Sequence, residues 1–418
     1  MSREVRVVLV GIGGYGQVYV NAMLDSADDK NARIVGAVDT RPEGCTRLAE
    51  LKQTGVPVFE SLADFYKTGQ AELAVISTSI HSHADLTGMA LSHGSNVLCE
   101  KPLAATIQEG LAMQTVAHEA GRFVAIGYQW SFSKAIQSLK ADVQKGVFGA
   151  PRRLKTMVCW PREEGYYARN DWAGHLKSAD GRWVLDSPAN NATAHYLHNM
   201  FYVLGEQRHT SAMPVEATAE LYRAKPIENF DTGAVRCRTA DGVEILFLTT
   251  HSSACSLGPL SHYEFEDADV YYGGLGQCGE FVARRKDGSV KKYGSPNAGE
   301  ADKLWECVEA VHTGATVACG VSAASAALLC VNAMHESAEI VQVPPDAVGC
   351  VGEGSGRVIH IHGLESIYIQ CYDQGALPGE LGGVGWAKAG KTIDLREYRR
   401  FQGSKEFDEL SADLREAQ

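Results

Sequence analysis

A lysine and a histidine stand out as the residues able to do chemistry. Lys101 lies in the run Cys99-Glu100-Lys101-Pro102-Leu103, about ninety residues beyond the glycine turn Gly11-Ile12-Gly13-Gly14-Tyr15-Gly16. The preceding run Asn96 to Cys99 reads as a strand, so Lys101 projects at the carboxyl edge of a parallel sheet, where open α/β folds bind ligands. A dinucleotide turn followed at that interval by Glu-Lys-Pro places the lysine beside a bound nicotinamide, which outlines a redox site. His195 sits in the stretch Asn191 to Leu204, where Ala194, Leu197, Phe201 and Leu204 recur at helical spacing and Gly205 is the stop. At about 100° per residue, Asn191, His195, His198 and Tyr202 share a second, polar face. An imidazole titrates close to neutrality, which suits deprotonation of a carbinol, and His195 is the candidate general base.

The glycine turn has its own chemistry. Gly11, Gly13 and Gly16 fit G-x-G-x-x-G between a strand and a helix, a pattern that lets backbone N–H groups, including those near Gly14 and Tyr15, approach a pyrophosphate. Asp39, at the end of the second strand, is placed to accept hydrogen bonds from the adenosine ribose and to repel a 2′-phosphate, favouring NAD over NADP. Arg41 pulls the other way, since a guanidinium there can meet that phosphate.

Tyr166, Tyr167, Arg169, Asp171 and Trp172 form a polar and aromatic cluster between Pro161 and Gly174. Aromatic platforms with charged groups nearby suit a ring that has apolar faces and a hydroxyl rim; the same cluster can equally anchor domain packing. Tyr128, Gln129 and Trp130 end the last parallel strand, which brings them to the same cleft. No His or Cys grouping has metal-ligand spacing, and His360 with His362 makes a poor site alone, so no metal is expected.

The elements that must position these groups follow from the pattern. VRVVLV (5–10) is a buried parallel strand, a helix runs from Gly16 to Leu24, and strands follow at 33–38, 72–77, 96–99 and 123–127. His83 to His93 reads as a helix stopped by Gly94. This alternation predicts a Rossmann-type doubly wound parallel sheet over residues 1–127. After a helix ending at Gly146, strand candidates at 151–160, 214–223, 233–238, 243–250, 262–266 and 280–284 predict an α/β domain with a large, mostly antiparallel open sheet over 128–343. Two helices are expected between Ala301 and Ile340. Residues 344–418, with strand-like RVIHIHG and SIYIQCY runs, read as a C-terminal extension of modest order.

Size and charge set the bounds. At 418 residues two domains are natural, and a net charge of −12 disfavours a nucleic-acid face. No apolar run is long enough for a membrane helix, and the N-terminus has no signal-peptide pattern. The 11 cysteines lack disulfide or zinc spacing, which fits reduced thiols in the cytoplasm.

GIGGYG, VDTRPE, STSIHSHADL and CEKPL, in that order and spacing, resemble the glucose-fructose oxidoreductase, inositol dehydrogenase and rhizopine-catabolism (Gfo/Idh/MocA) family. The resemblance continues through GYQWSFSKAIQSLK and NATAHYLHNMFYVLG and, more loosely, to HESAEI, covering about residues 5–340. It implies NAD- or NADP-dependent hydride transfer at a hydroxyl-bearing carbon of a sugar, polyol or derivative. Lys101 would then hydrogen-bond the reacting hydroxyl, while Ser77, Thr78 and His83, with Glu100, would line the nicotinamide side; His83 alternatively caps its helix. The family's Asp-x-x-x-His is altered, with Asn191 four residues before His195 and Asp186 nine before it, so either could be the histidine's partner. His198 contacts substrate or faces the sheet, and Trp130 with Tyr128, Tyr167, Arg169 and Trp172 would shape the substrate side. The resemblance also implies a homo-oligomer, a dimer or tetramer, through the exposed face of the second sheet. Two other outcomes stay open: a redox-neutral glycosidase or lyase working through transient sugar oxidation, and a non-catalytic nucleotide-dependent regulator.

Overall fold

The computed structural model describes residues 4–274 and 277–403. Six strands, β1 (Val5–Val10), β2 (Ala32–Val38), β3 (Val58–Phe59), β4 (Leu73–Ile76), β5 (Asn96–Cys99) and β6 (Val124–Ile126), form an all-parallel sheet in the order β3-β2-β1-β4-β5-β6. That is the doubly wound order, whose topological switch lies between β1 and β4. β1 and β4 are buried on both faces, which explains their unbroken apolar runs. Gly16, the third glycine of the turn, has no room for a side chain, since a Cβ would stand 2.0 Å from the carbonyl oxygen of Gly11. A Cβ on Gly14, at φ 53°, would meet nothing within 4 Å.

The second sheet contains β7 (Pro151–Cys159), β8 (Pro214–Arg223), β9 (Thr232–Thr239), β10 (Glu244–Thr250), β11 (Leu257–Phe265), β12 (Ala268–Gly274), β13 (Gln277–Arg285), β14 (Val290–Gly294) and β15 (Ile340–Gln342). Its order is β14-β13-β12-β11-β7-β10-β9-β8-β15, antiparallel except where β7 meets β10 and β8 meets β15. The fold is thus α/β, with a Rossmann-type sheet followed by a large mixed, mostly antiparallel one. Its inner face packs on helices Ala194–Val203 and Val321–Ser337; the second of these also packs against helix Ile107–Ala120 of the first sheet's layer.

Two expectations are corrected. The segment beyond residue 343 is ordered and packed as far as Gly403. It makes a hairpin, β16 (Val348–Val351) with β17 (Val358–Ile361), a helix at Leu364–Gln374, and a short strand β18 (Ile393–Asp394) on the edge of β8. SIYIQCY is helical: Leu364, Tyr368 and Cys371 recur at helical spacing and are buried, and Gly363 and Gly375 flank the helix at φ 70° and 72°. This helix covers the outer sheet face, where its buried side chains join Met157, Cys159, Tyr222, Ala234, Leu246 and Leu248. The part of that face over β7 to β10, expected to be open for subunit contact, is occupied by the chain itself. Among the described residues no helix is long and apolar enough to cross a membrane.

Candidate active site

Lys101 emerges from β5 and turns through a cis peptide bond to Pro102. Its Nζ donates to the carbonyl oxygen of Asn191 at 2.9 Å and to Asn191 Oδ1 at 2.8 Å. Asn191 Nδ2 in turn donates to Asp186 Oδ1 at 2.8 Å, and the Gly174 amide donates to Asp186 Oδ2 at 2.7 Å. A relay therefore runs from the second domain's loops to the strand-end lysine. Asn191 precedes the helix rather than lying on it, because the helix begins at Ala194. Leu185, buried at φ 50°, holds the backbone in a region costly for a γ-branched residue and presents Asp186 to the relay.

Burial depresses the Lys101 pKa to about 8, with Lys303 and Arg169 adding to the fall and Glu100 and Asp186 opposing it. Burial likewise raises that of Asp186, against the pull of Gly174, Asn191, Arg169 and Lys101. His195 is held well below the ordinary histidine value by burial and then by the Lys101 charge, so its imidazole is neutral at physiological pH. His195 Nδ1 is buried and makes no hydrogen bond with the described residues. Neither Asp186 nor Asn191 hydrogen-bonds His195; both are engaged in the lysine relay. The altered spacing of this motif thus diverts the acid toward the lysine.

His198 is fully buried one helical turn deeper, stacked on Tyr128 with ring centroids 3.9 Å apart, and its Nε2 shares a 2.9 Å hydrogen bond with Ser131 Oγ. Its contacts in this structure are with protein side chains, because this helix is buried on its polar face as well as its apolar one. Tyr128 is buried between the two histidines and sets an edge against His195. Trp130 is also buried, donating from Nε1 to Asn297 Oδ1 at 2.8 Å.

The residues of the glycine turn form a second group. Asp39 Oδ2 accepts the amides of Ile12 at 2.9 Å and Gly13 at 3.3 Å, and Oδ1 accepts the Arg41 amide at 2.8 Å. The open space around Gly14, at the start of a 3-10 turn leading into helix Gln17–Ser26, fits a pyrophosphate drawn to a helix N-terminus. The Ser77-Thr78 loop lies against Gly11, with Thr78 Oγ1 2.7 Å from Ser82 Oγ. Both ring nitrogens of His83 face carbonyls, Pro102 O at 2.9 Å and Thr78 O at 3.2 Å, so this buried histidine ties the Lys101-Pro102 turn to that loop.

One buried charge escaped the sequence reading. Lys303, fully buried in the first turn of helix Asp302–Thr313, pairs with Glu100 and donates to Tyr15 OH at 2.9 Å. Glu100 also accepts from Tyr19 OH at 2.5 Å and from the Lys101 amide at 3.1 Å. A lysine near a helix start ordinarily reads as solvated, so nothing in the sequence marked it. Among the described residues no three His, Cys, Asp or Glu side chains lie together as a metal site requires.

Parts of this chain are similar to known proteins. Residues 5–128 match the model of an oxidoreductase family with an NAD-binding Rossmann fold. The rhizopine catabolism protein MocA of Rhizobium meliloti is 30% identical over 159 residues, 38% of this chain and 47% of that protein. An inositol 2-dehydrogenase of Rubrobacter xylanophilus is 28% identical over 151 residues, 36% of this chain and 42% of that one. The match thus spans less than half the length of each of these two relatives. The WlbA dehydrogenase of Bordetella pertussis, solved with NADH and UDP-GlcNAcA, has a similar fold, with a TM-score of 0.66 at 22% identity, covering 79% of this chain and 95% of that one.

Proposed function

We infer the function from a chain that belongs, through its NAD-binding Rossmann domain, to the Gfo/Idh/MocA oxidoreductases: it moves hydride between NAD and a hydroxyl-bearing carbon of a sugar, polyol or related molecule. Residues 1–127 serve as the cofactor domain, 128–343 as the substrate domain, and 344–418 as an extension of the second. The observation that carries this reading is the relay from Asp186 through Asn191 to Lys101, with a neutral His195 beside it.

The nicotinamide supplies the hydride acceptor. Lys101, positively charged below about pH 8, donates a hydrogen bond to the substrate oxygen and stabilises charge developing there. Asn191 orients the ammonium and Asp186 orients Asn191. His195, neutral and close to Lys101, takes the hydroxyl proton. Asp39 receives the adenosine ribose hydroxyls and favours NAD over NADP. A cytoplasmic homo-oligomer completes the reading, its contacts made outside the sheet area that the helix Leu364–Gln374 covers.

The test is nicotinamide absorbance on mixing the protein with NAD, and separately NADP, across sugars, polyols, sugar acids and glycosides. Reduced cofactor is expected with one substrate group. Lys101→Ala and His195→Ala should each lower turnover by at least about 10²-fold while NAD affinity stays within a few-fold. Normal turnover in either variant overturns its role, and cleaved glycoside without reduced cofactor replaces the dehydrogenase with a redox-neutral enzyme.

A further inference from the structure

Several cations near the site are matched by carboxylates. Lys303 pairs with Glu100, Arg182 with Asp85 and Asp180, and Arg357 with Glu164. Arg162 and Arg169 form no ion pair with any described residue. Both lie against the ring of Tyr166, Arg169 at 3.6 Å and Arg162 at 5.0 Å from its centroid, and Trp172 lies 5.6 Å from Arg169. Arg169 donates from Nη1 to the Tyr166 carbonyl at 2.6 Å, whereas Arg162 Nε is buried and makes no hydrogen bond with the described residues.

The surroundings of Arg162 are rich in donors. β7 and β10 run parallel, and just beyond their carboxyl ends the Arg162 amide donates to the carbonyl of His251 at 3.1 Å. His251, 2% exposed, meets Tyr167 OH at Nδ1 at 2.8 Å, and its Nε2 has no partner. Burial and the charges of Arg162, Lys225 and Arg169 keep that imidazole neutral, and in the tautomer that accepts from Tyr167 at Nδ1 the proton sits on Nε2. The buried hydroxyls of Ser252 and Ser253 are likewise unpartnered. Buried polar groups are ordinarily satisfied, and a run of unsatisfied donors beside an unpaired guanidinium points to an acceptor.

Nearby carboxylates do not answer it. Asp186 is hydrogen-bonded to Gly174 and Asn191 and only draws on Arg169 through its charge, and Asp231 is hydrogen-bonded to the amides of Ala224 and Lys225. Gly174, whose amide holds Asp186 of the lysine relay, lies against the Tyr167 ring, and the Arg169 charge acts on Lys101, which sets Arg169 near the reacting centre.

We propose that the substrate of this site carries a carboxylate beside its reacting hydroxyl, as an aldonate or uronate does, and that Arg169 and Arg162 bind it. This rests on the hydride-transfer reading of the same site. Guanidinium matches a carboxylate through paired parallel N–H groups, and the flanking aromatic rings hold it in a plane. Lys225 is held by the carbonyls of Arg162 and Ile359, and a negative charge on the substrate offsets part of the positive surplus that Asp186 and Asp231 leave.

Matched pairs test it: D-gluconate with D-glucitol, D-glucuronate with D-glucose and D-galacturonate with D-galactose, together with glucose 6-phosphate, each added to the full chain with NAD. Initial rates and calorimetric binding to the NAD complex are read in parallel. At least one acid should exceed its neutral partner by 30-fold or more in affinity or kcat/KM. Arg169→Gln and Arg162→Gln should each raise KM for that acid at least tenfold with native circular dichroism, and Arg169→Lys should recover part of the loss. Equal or better handling of every neutral partner, preference for the phosphate, or no binding by any acid overturns the carboxylate while leaving the dehydrogenase to its own test. An acid bound in strong preference, without reduced cofactor, sustains the carboxylate site and counts against hydride transfer.

Discussion

Raising the pH through 8 should switch Lys101 off, and the structure gives the size of the effect. The fall from 10.5 to about 8 corresponds to ~3 kcal/mol against the charged amine at 1.36 kcal/mol per pH unit. Burial is the largest cause, with Lys303 and Arg169 contributing. Between pH 8 and 10.5 the native lysine has lost its proton while the unfolded chain keeps it, so the unfolded state binds more protons and stability rises with pH in that window. Below pH 8 both states are protonated and the full cost is present. Relative to Lys101→Met, which has no such proton, the wild-type protein should therefore gain ~3 kcal/mol between pH 7 and 10.5, read by urea denaturation at both pH values. The kinetic consequence has the opposite sense. A charged donor is worth about 1–1.5 kcal/mol more than a neutral one, so kcat/KM should fall about tenfold across a limb near pH 8. Lys101→Arg should lose that limb, since a guanidinium stays charged. Parallel stability curves for the wild type and Lys101→Met, or a limb that persists in Lys101→Arg, would refute the reasoning.

Two further outcomes follow from contacts around the cofactor turn. Asp39→Ala removes the acceptor of the Ile12, Gly13 and Arg41 amides and, on the proposed function, of the ribose hydroxyls, and leaves the Arg41 side chain to meet a 2′-phosphate. NADH affinity should drop at least about tenfold and NADPH affinity should rise, from the usual worth of a hydrogen bond to a charged group; an unchanged ratio in calorimetry contradicts the assignment. Lys303→Met leaves Glu100 as a buried charge without its ion-pair partner, and should cost about 3–5 kcal/mol in urea denaturation. Adding Glu100→Gln should restore most of that stability, and a loss under about 1 kcal/mol in the single variant would mean the pair is not coupled.

What was legible in the sequence was local. β5 ends at Cys99 as read, β8 spans Pro214–Arg223 as read, and the Gly94 stop stands at φ 83° after helix His83–Ser92, because each rests on near-neighbour patterns. Tertiary packing decided the rest. β12 and β14 escaped notice because glycines and exposed lysines break their alternation, and they exist as strands through pairing with β13. For His198 the helical pattern left substrate contact and the sheet both open; it is packing against Tyr128 and Ser131, far away in the chain, that buries it. Lys303 is about two hundred residues from Glu100 in the chain, and no short-range pattern brings such a pair together.

The C-terminal segment carries the sharpest consequence of this limit. Its helix was hidden because Ile, Tyr and Cys in SIYIQCY favour strands by propensity, and it folds as a helix because it gains a sheet to bury against. That burial fills the outer face over β7 to β10, which leaves the half over β11 to β14. There His262 shares a hydrogen bond of 2.7 Å with Asp269 and stacks on Tyr271, beside Glu264. The same segment also reaches the substrate side: the Glu164 amide donates to the Arg357 carbonyl at 2.9 Å, and a Cβ on Gly165 would stand 3.1 Å from Ser355 O. The hairpin tip thus braces the short helix Glu164–Tyr167, which holds Tyr166 and Tyr167 beside Arg162 and Arg169. One stretch of chain therefore covers the sheet face and braces the loop proposed to meet the substrate, so changes in the tip should appear in KM before they appear in kcat.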